Sequence, residues 1–325
     1  MVTALVQSGI IAPEDAPSAV TIVERRLGAS APAATGSRIA AEIAGYVGGI
    51  LVIAAGAVFI AASWNDMGLA TRCISLLLGA LVLAIAAILT RTTLSHNATA
   101  ADRAVRRRLA GAFGIGAAAL VAGTVGVYLD QQVEPMSQHV ELVPFAAYGS
   151  FTILALAAYL FAPSVPGQVA TGIGAVIAIF SGSSLVLDRP ELLHTILLLG
   201  LGIGWLALAE TRRWHEVETG RVVGAAITLI GAQSAAFGPN HAGLAYLLLA
   251  VVGCVAFAVY ARFRAWSYLA MGVIGLTLAA TESAVDYIES GVGAAAGLLI
   301  AGAMLLATSL FAMRLRRAST PPAPD

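Results

Sequence analysis

Apolar residues fall in long unbroken blocks along this chain, parted by short polar or arginine-bearing turns. The first block, AEIAGYVGGILVIAAGAVFIAASW at residues 41–64, holds roughly twenty consecutive apolar positions after Glu42. At about 1.5 Å per residue a helix of that length crosses a hydrocarbon core of about 30 Å. Ten such spans are expected, at about 41–63, 73–90, 109–129, 142–162, 168–187, 192–209, 222–237, 242–260, 265–281 and 292–313. The predicted fold class is all-α, a polytopic helical membrane protein of about ten transmembrane helices filling residues 38–317. Ahead of it, residues 1–37 read as a cytosolic helical segment and linker. Pro13, Glu14 and Asp15 suit a helix start, Val20, Val23 and Leu27 recur at helical spacing, and ASAPAATGS at 29–37 has a flexible composition. Residues 318–325 read as a disordered cytosolic tail.

Charge placement supports the count, because basic residues concentrate in cytoplasmic loops and a miscounted span would scramble their alternation. With the N-terminus in the cytoplasm, 16 of the 18 arginines lie on the inner side and only Arg72 and Arg189 on the outer. The outer segments instead carry Asp66, Asp130, Glu134, Glu141, Asp188, Glu191, Glu282, Asp286 and Glu289. Both termini are therefore expected in the cytoplasm, and the location is the bacterial cytoplasmic (inner) membrane. Trp214, Tyr260 and Trp266 at inner helix ends, with Trp64, Tyr128 and Tyr287 at outer ones, fit interfacial aromatic belts.

Composition narrows the chemistry further. Hydrophobic residues make up 59% of the chain and charged residues 11%, against roughly 25% charged in a soluble domain. Every basic residue is arginine, which removes phosphate-loop, Schiff-base and pyridoxal-anchoring lysine chemistry. Cys73 and Cys254 stand in or beside apolar runs without metal-ligand spacing, so neither a disulfide framework nor a metal site is expected. No cofactor is implied. The N-terminal stretch lacks the pattern of a cleavable signal, leaving the first span as its own insertion signal.

LVQSGIIAPEDA at residues 5–16, then the glycine-rich span GYVGGILVIAAGAVFIAASW ending at Trp64, then a train of apolar spans together form a recognisable arrangement. It resembles a family of bacterial predicted membrane proteins of unknown function. The resemblance implies a shared membrane architecture and brings no catalytic residues with it.

Four constellations carry candidate chemistry. Asp66 and Arg72 face each other across a short turn between the first two spans, a candidate outer ion pair beside the Trp64–Asn65 interface. Ser181, Ser184, His194, Gln233, His241, Glu282 and Asp286 lie in the outer halves of later spans, where polar groups are costly and often line a pathway. They form either an outward-facing polar vestibule able to exchange protons or hold a cation, or simply polar helix ends. Arg103, Arg106, Arg107 and Arg108 form a basic cluster suited to anionic lipid headgroups, or else act only as a topology signal. Gly45/Gly49, Gly200/Gly204 and Gly293/Gly297 are GxxxG pairs that permit close helix approach. The run GLGIG at 200–204 is not a nucleotide loop, since it follows no strand.

Three functions are compatible with this pattern. The first is a transporter-like protein for a small or amphipathic solute, favoured by the span count and the outer polar groups, with five-plus-five spans allowing an inverted repeat. The second is a non-enzymatic scaffold or regulatory subunit of a cell-envelope complex. An intramembrane lipid enzyme is third, and no compact His/Asp/Glu motif supports it. The expected partners are the lipid bilayer and a small solute or membrane protein; nucleic acid is not expected.

Overall fold

The structure, a computed structural model, describes residues 12–18, 58, 62–92, 100–133, 141–186, 190–238, 242–287, 295, 299, 302 and 303. Residues 1–67 and 68–325 form separate compact units. In the first, the described residues include 3-10 turns at Pro13–Asp15 and Trp64–Asp66. The first and tenth expected spans lie almost wholly outside the described residues, as do Gly45, Gly49, His241, Glu289, Gly293 and Gly297.

The second unit contains eight described helices: α1 (Leu69–Thr92), α2 (Ala100–Asp130), α3 (Leu142–Phe161), α4 (Val165–Ser184), α5 (Glu191–Glu210), α6 (Val217–Ser234), α7 (Ala242–Phe263) and α8 (Trp266–Tyr287). All eight are long and apolar enough to cross a membrane, and the described residues contain no strand. The protein is thus all-α and multi-pass, and the two shortest expected spans, the seventh and ninth, are both helices. Two helices run furthest beyond the apolar blocks that announced them. Helix α2 begins at Ala100 and takes Arg103 to Arg108 into its first turns, and α8 continues to Tyr287, so that Glu282 and Asp286 are helical.

Consecutive helices form antiparallel hairpins, α1/α2, α3/α4, α5/α6 and α7/α8. Gly79 meets Leu120 and Gly116 meets Leu83 across the first; Gly174 meets Phe151 and Gly182 meets Phe145 across the second. Helix α6 is the hub, packing on α4, α5, α7 and α8. Its buried positions are mostly small, among them Gly220, Gly224, Ala225, Gly231 and Ala232. Small residues let backbones approach closely, which in a lipid solvent is what drives helices together.

The α5/α6 seam shows how close that approach is. A Cβ on Gly202 would lie 2.6 Å from the Thr228 backbone nitrogen, and one on Gly231 would lie 2.8 Å from that of Leu199. The GxxxG pair on this helix, Gly200 and Gly204, takes no part in the seam: among the described residues a Cβ on either would meet nothing within 4 Å, and both sit on the exposed face of α5, because the residue between them, Gly202, is turned toward α6 by the helical period.

Helices α5 and α7 both stop at an arginine in the left-handed region, Arg212 with φ 54° and Arg264 with φ 53°. After α5 the Arg213 N–H donates to the Leu208 carbonyl at 3.0 Å and the Arg212 N–H to the Ala209 carbonyl at 3.0 Å, the paired bonds of a Schellman ending. After α7 a single bond of 2.7 Å joins the Arg264 N–H to the Tyr260 carbonyl. Glycine is the usual residue at such positions, since a Cβ costs about 1–2 kcal/mol there. Arg212→Gly and Arg264→Gly are therefore expected to raise the thermal unfolding midpoint in detergent; a fall would mean that the arginine side chains contribute more than the backbone strain costs.

Candidate functional site

Polar groups gather at the two ends of the described bundle, and the ends differ. At the acidic end they are used pairwise between helices. The His194 Nε2 on α5 donates to the Phe180 carbonyl on α4 at 3.0 Å, and its ring lies 4.8 Å from the Phe180 ring. Thr195 on α5 bonds Ser234 on α6 at 3.0 Å. The Gln233 amide on α6 donates to both carboxylate oxygens of Glu282 on α8, at 3.0 and 2.9 Å. Tyr246 on α7 donates to Asp286 on α8. Of the expected vestibule residues, the structure thus brings Gln233 and Glu282 together, and it brings His194 and Ser184 to one acceptor, the Phe180 carbonyl. It directs Asp286 to a different helix, buries Ser181, and turns the Ser184 hydroxyl to the Phe180 carbonyl of its own helix. Burial leaves the Gln233 Oε1 without a partner among the described residues, as it does the hydroxyls of Thr277 and Thr281. The nearby space, about 220 Å³ between Phe145, Gly182, Val186 and Leu193, is almost wholly apolar and is lined by none of the six vestibule residues that are described.

Asp66 is exposed in the Trp64–Asp66 turn, and Arg72 is half-buried in the first turn of α1, its N–H donating to the Gly68 carbonyl at 3.1 Å. They belong to the two separate units.

The arginine-bearing end is built differently. On α6, Arg221 bonds Glu210 at the end of α5 at 2.8 Å and Glu218 on its own helix at 2.9 Å, while the Tyr268 hydroxyl on α8 donates to Glu210 at 2.7 Å. One guanidinium and one phenol therefore tie α5, α6 and α8 around two carboxylates. Beside them Trp214, expected at the lipid interface, is instead buried. It stacks on Trp205 at 4.7 Å, meets Tyr159 edge-on at 5.3 Å and donates from its Nε1 to the Trp205 carbonyl. The Schellman turn at Arg212 folds the chain back over the end of α5 and carries this indole inward. Trp266, by contrast, is 59% exposed, as a belt residue should be.

The same turn supplies half of a basic pocket. Arg213 and His215 from the α5–α6 connection face Arg91 at the end of α1 and Arg107 near the start of α2, around a space of about 480 Å³ that also touches Tyr159, Leu160 and Pro163. The His215 N–H donates to the Tyr159 hydroxyl at 3.0 Å, which fixes the turn to α3. Arg107 bonds Glu216 at 3.2 Å through one terminal nitrogen, while its Nε is buried without a partner among the described residues. The Arg91 guanidinium lies 4.2 Å from the centre of the Phe161 ring. Of the four arginines expected to contact lipid, only Arg107 lines this pocket; Arg103 and Arg108 are exposed and Arg106 is half-buried on α2.

Phe161 is also the upper wall of a second space. A groove of about 540 Å³ runs between α1, α2 and α3, lined entirely by apolar residues including Leu77, Ala84, Ile88, Gly114, Ala117, Leu154 and Ala158. From Leu77 to Ile88 it follows about 16 Å of helix, roughly half of a hydrocarbon core. Its lining is ordinary span composition, so hydropathy does not mark it. The one legible trace is the run of small residues on α2, AGAFGIGAAA at 110–119, too short in side chain to fill the space between neighbours.

Among the described residues no group of three or more His, Cys, Asp or Glu side chains could hold a metal ion. No protein-family model, curated protein or solved structure matches the chain.

Proposed function

We propose that this multi-pass membrane protein is transporter-like and takes an amphipathic solute sideways from one leaflet. The observation that carries this reading is the apolar groove between α1, α2 and α3, which meets a basic pocket at the Arg91–Phe161 pair. An amphipathic molecule has a greasy part that needs the first and a polar part that needs the second. We place the arginine-bearing end, with both chain termini, in the cytoplasm of a bacterial inner membrane crossed ten times, following the arginine asymmetry. The groove then opens to the cytoplasmic leaflet. The acidic end, with Gln233 bonded to Glu282, would form the outward gate of the same path.

Proteoliposomes carrying a head-labelled fluorescent phospholipid test the reading. If the protein moves such molecules between leaflets, an impermeant reductant added outside bleaches clearly more label than in protein-free liposomes. Equal bleaching would sink it. A second reading, a scaffold or regulatory subunit of an envelope complex, is favoured by the open face of α5, where Gly200 and Gly204 leave a smooth strip one turn apart. Equal bleaching together with a stable co-purifying membrane partner would favour that alternative.

A further inference from the structure

We infer that the molecule held at the arginine-bearing end is an anionic phospholipid, its phosphate held by Arg91, Arg107 and Arg213 and one acyl chain lying in the α1–α2–α3 groove. The inference rests on the amphipathic-solute reading and names the chemical class. Charge is the first ground. Three guanidinium groups and one carboxylate, Glu216, stand around the pocket, and among the described residues no carboxylate bonds Arg91 or Arg213. A net surplus of positive charge at a membrane surface calls for an anion, and the fork geometry of arginine suits phosphate oxygens.

The second ground is an unused donor. Arg107 spends one terminal nitrogen on Glu216 and, among the described residues, its buried Nε has no partner, so the hydrogen-bonding capacity of this guanidinium is not used up within the protein. The third is length. The groove descends about 16 Å from the basic pocket, the depth of one leaflet, and holds no polar lining residue that a sugar or peptide would need. Free phosphate would satisfy the arginines and leave the groove unexplained.

The test uses the full chain in a neutral detergent, titrated with dioctanoyl phosphatidylglycerol, dioctanoyl phosphatidylcholine and inorganic phosphate, with binding read by the shift of the unfolding midpoint. Phosphatidylglycerol should bind at least tenfold tighter than the other two. Arg91→Gln and Arg213→Gln should each weaken it about fivefold. Arg103→Gln and Arg108→Gln, which remove the same charge from exposed positions outside the pocket, should change it less than twofold. Ala84→Trp, filling the groove, should weaken phosphatidylglycerol and leave inorganic phosphate unaffected; Ala157→Phe on the opposite wall repeats this arm if Ala84→Trp does not fold. Phosphatidylcholine binding as tightly as phosphatidylglycerol would overturn the headgroup assignment while leaving the amphipathic-solute reading in place. Phosphatidylglycerol binding untouched by both groove variants would overturn the site and that reading together. Inorganic phosphate binding as tightly as the lipid would mean an anion site without a lipid.

Discussion

Gly202→Ala is expected to destabilise the bundle, while the same replacement at Gly200 or Gly204, two residues to either side, is expected to stabilise it slightly. Alanine is favoured over glycine within a helix by up to about 1 kcal/mol, and at Gly200 and Gly204 no atom of the described residues would lie within 4 Å of the new methyl to oppose that gain. At Gly202 the added methyl would stand 2.6 Å from the Thr228 nitrogen and 2.9 Å from its Cα, so helix backbone itself must move. Overpacking of that kind costs about 1–3 kcal/mol, more than the propensity gain. Gly202→Val should be worse still. The readout is the fraction remaining monodisperse after a heat ramp in detergent. Equal behaviour of the three alanine variants would mean that α5 and α6 part without cost, and that α6 is not held where the structure has it.

Arg221→Met is expected to have the other large effect. Removing the guanidinium leaves Glu210 and Glu218 beside one another with no cation between them, at a site where the Arg221 side chain is 20% exposed. Losing one member of a buried ion pair costs about 3–5 kcal/mol; partial solvent access at this end reduces that to about 2–3 kcal/mol. Glu218→Gln should cost well under 1 kcal/mol, because Glu218 is 44% exposed and its bond to Arg221 joins residues of the same helix. The double variant Glu210→Gln with Arg221→Met should recover much of the loss, since it removes the stranded charge. If it unfolds as readily as Arg221→Met alone, repulsion is not the cause. Chemical denaturation followed by circular dichroism measures all three.

The eight described spans were legible from hydropathy alone, each a stretch of apolar chain between polar turns, with arginine a second cue beside most of them and at neither end of 142–162. What joins the spans was not legible. Glu210 and Arg221 are separated by a turn whose direction depends on a left-handed Arg212, and no spacing rule connects them. Trp214 was misread for the same reason, because interfacial tryptophan and tryptophan tucked under a turn have identical sequence settings. The GxxxG spacing at 200 and 204 named a helix but not its packed face, since glycines at 200, 202 and 204 offer two registers and it is Gly202 that meets Thr228 on α6. At the acidic end, Gln233 and Glu282 could be named as polar but not paired; their bond depends on α6 and α8 lying side by side. The basic pocket needed four segments at once, of which the sequence had flagged Arg107 as a lipid contact.

The two arginine-terminated helices also bear on how the protein answers a change in its surroundings. Since Arg212 and Arg264 occupy both the position where the backbone stops being helical and the position where charge must reach water, neither helix can slide along the membrane normal without dragging a guanidinium into hydrocarbon or exposing an apolar turn. Helix α5 is 20 residues long, about 30 Å, with no slack to absorb a mismatch. A thinner bilayer must then be met by tilting α5 and α7 together, through the tightly seamed α6 between them, and a thicker one by local thinning around all three, rather than by shifting any one of them. The end caps thus make bilayer thickness a mechanical input to the centre of the bundle.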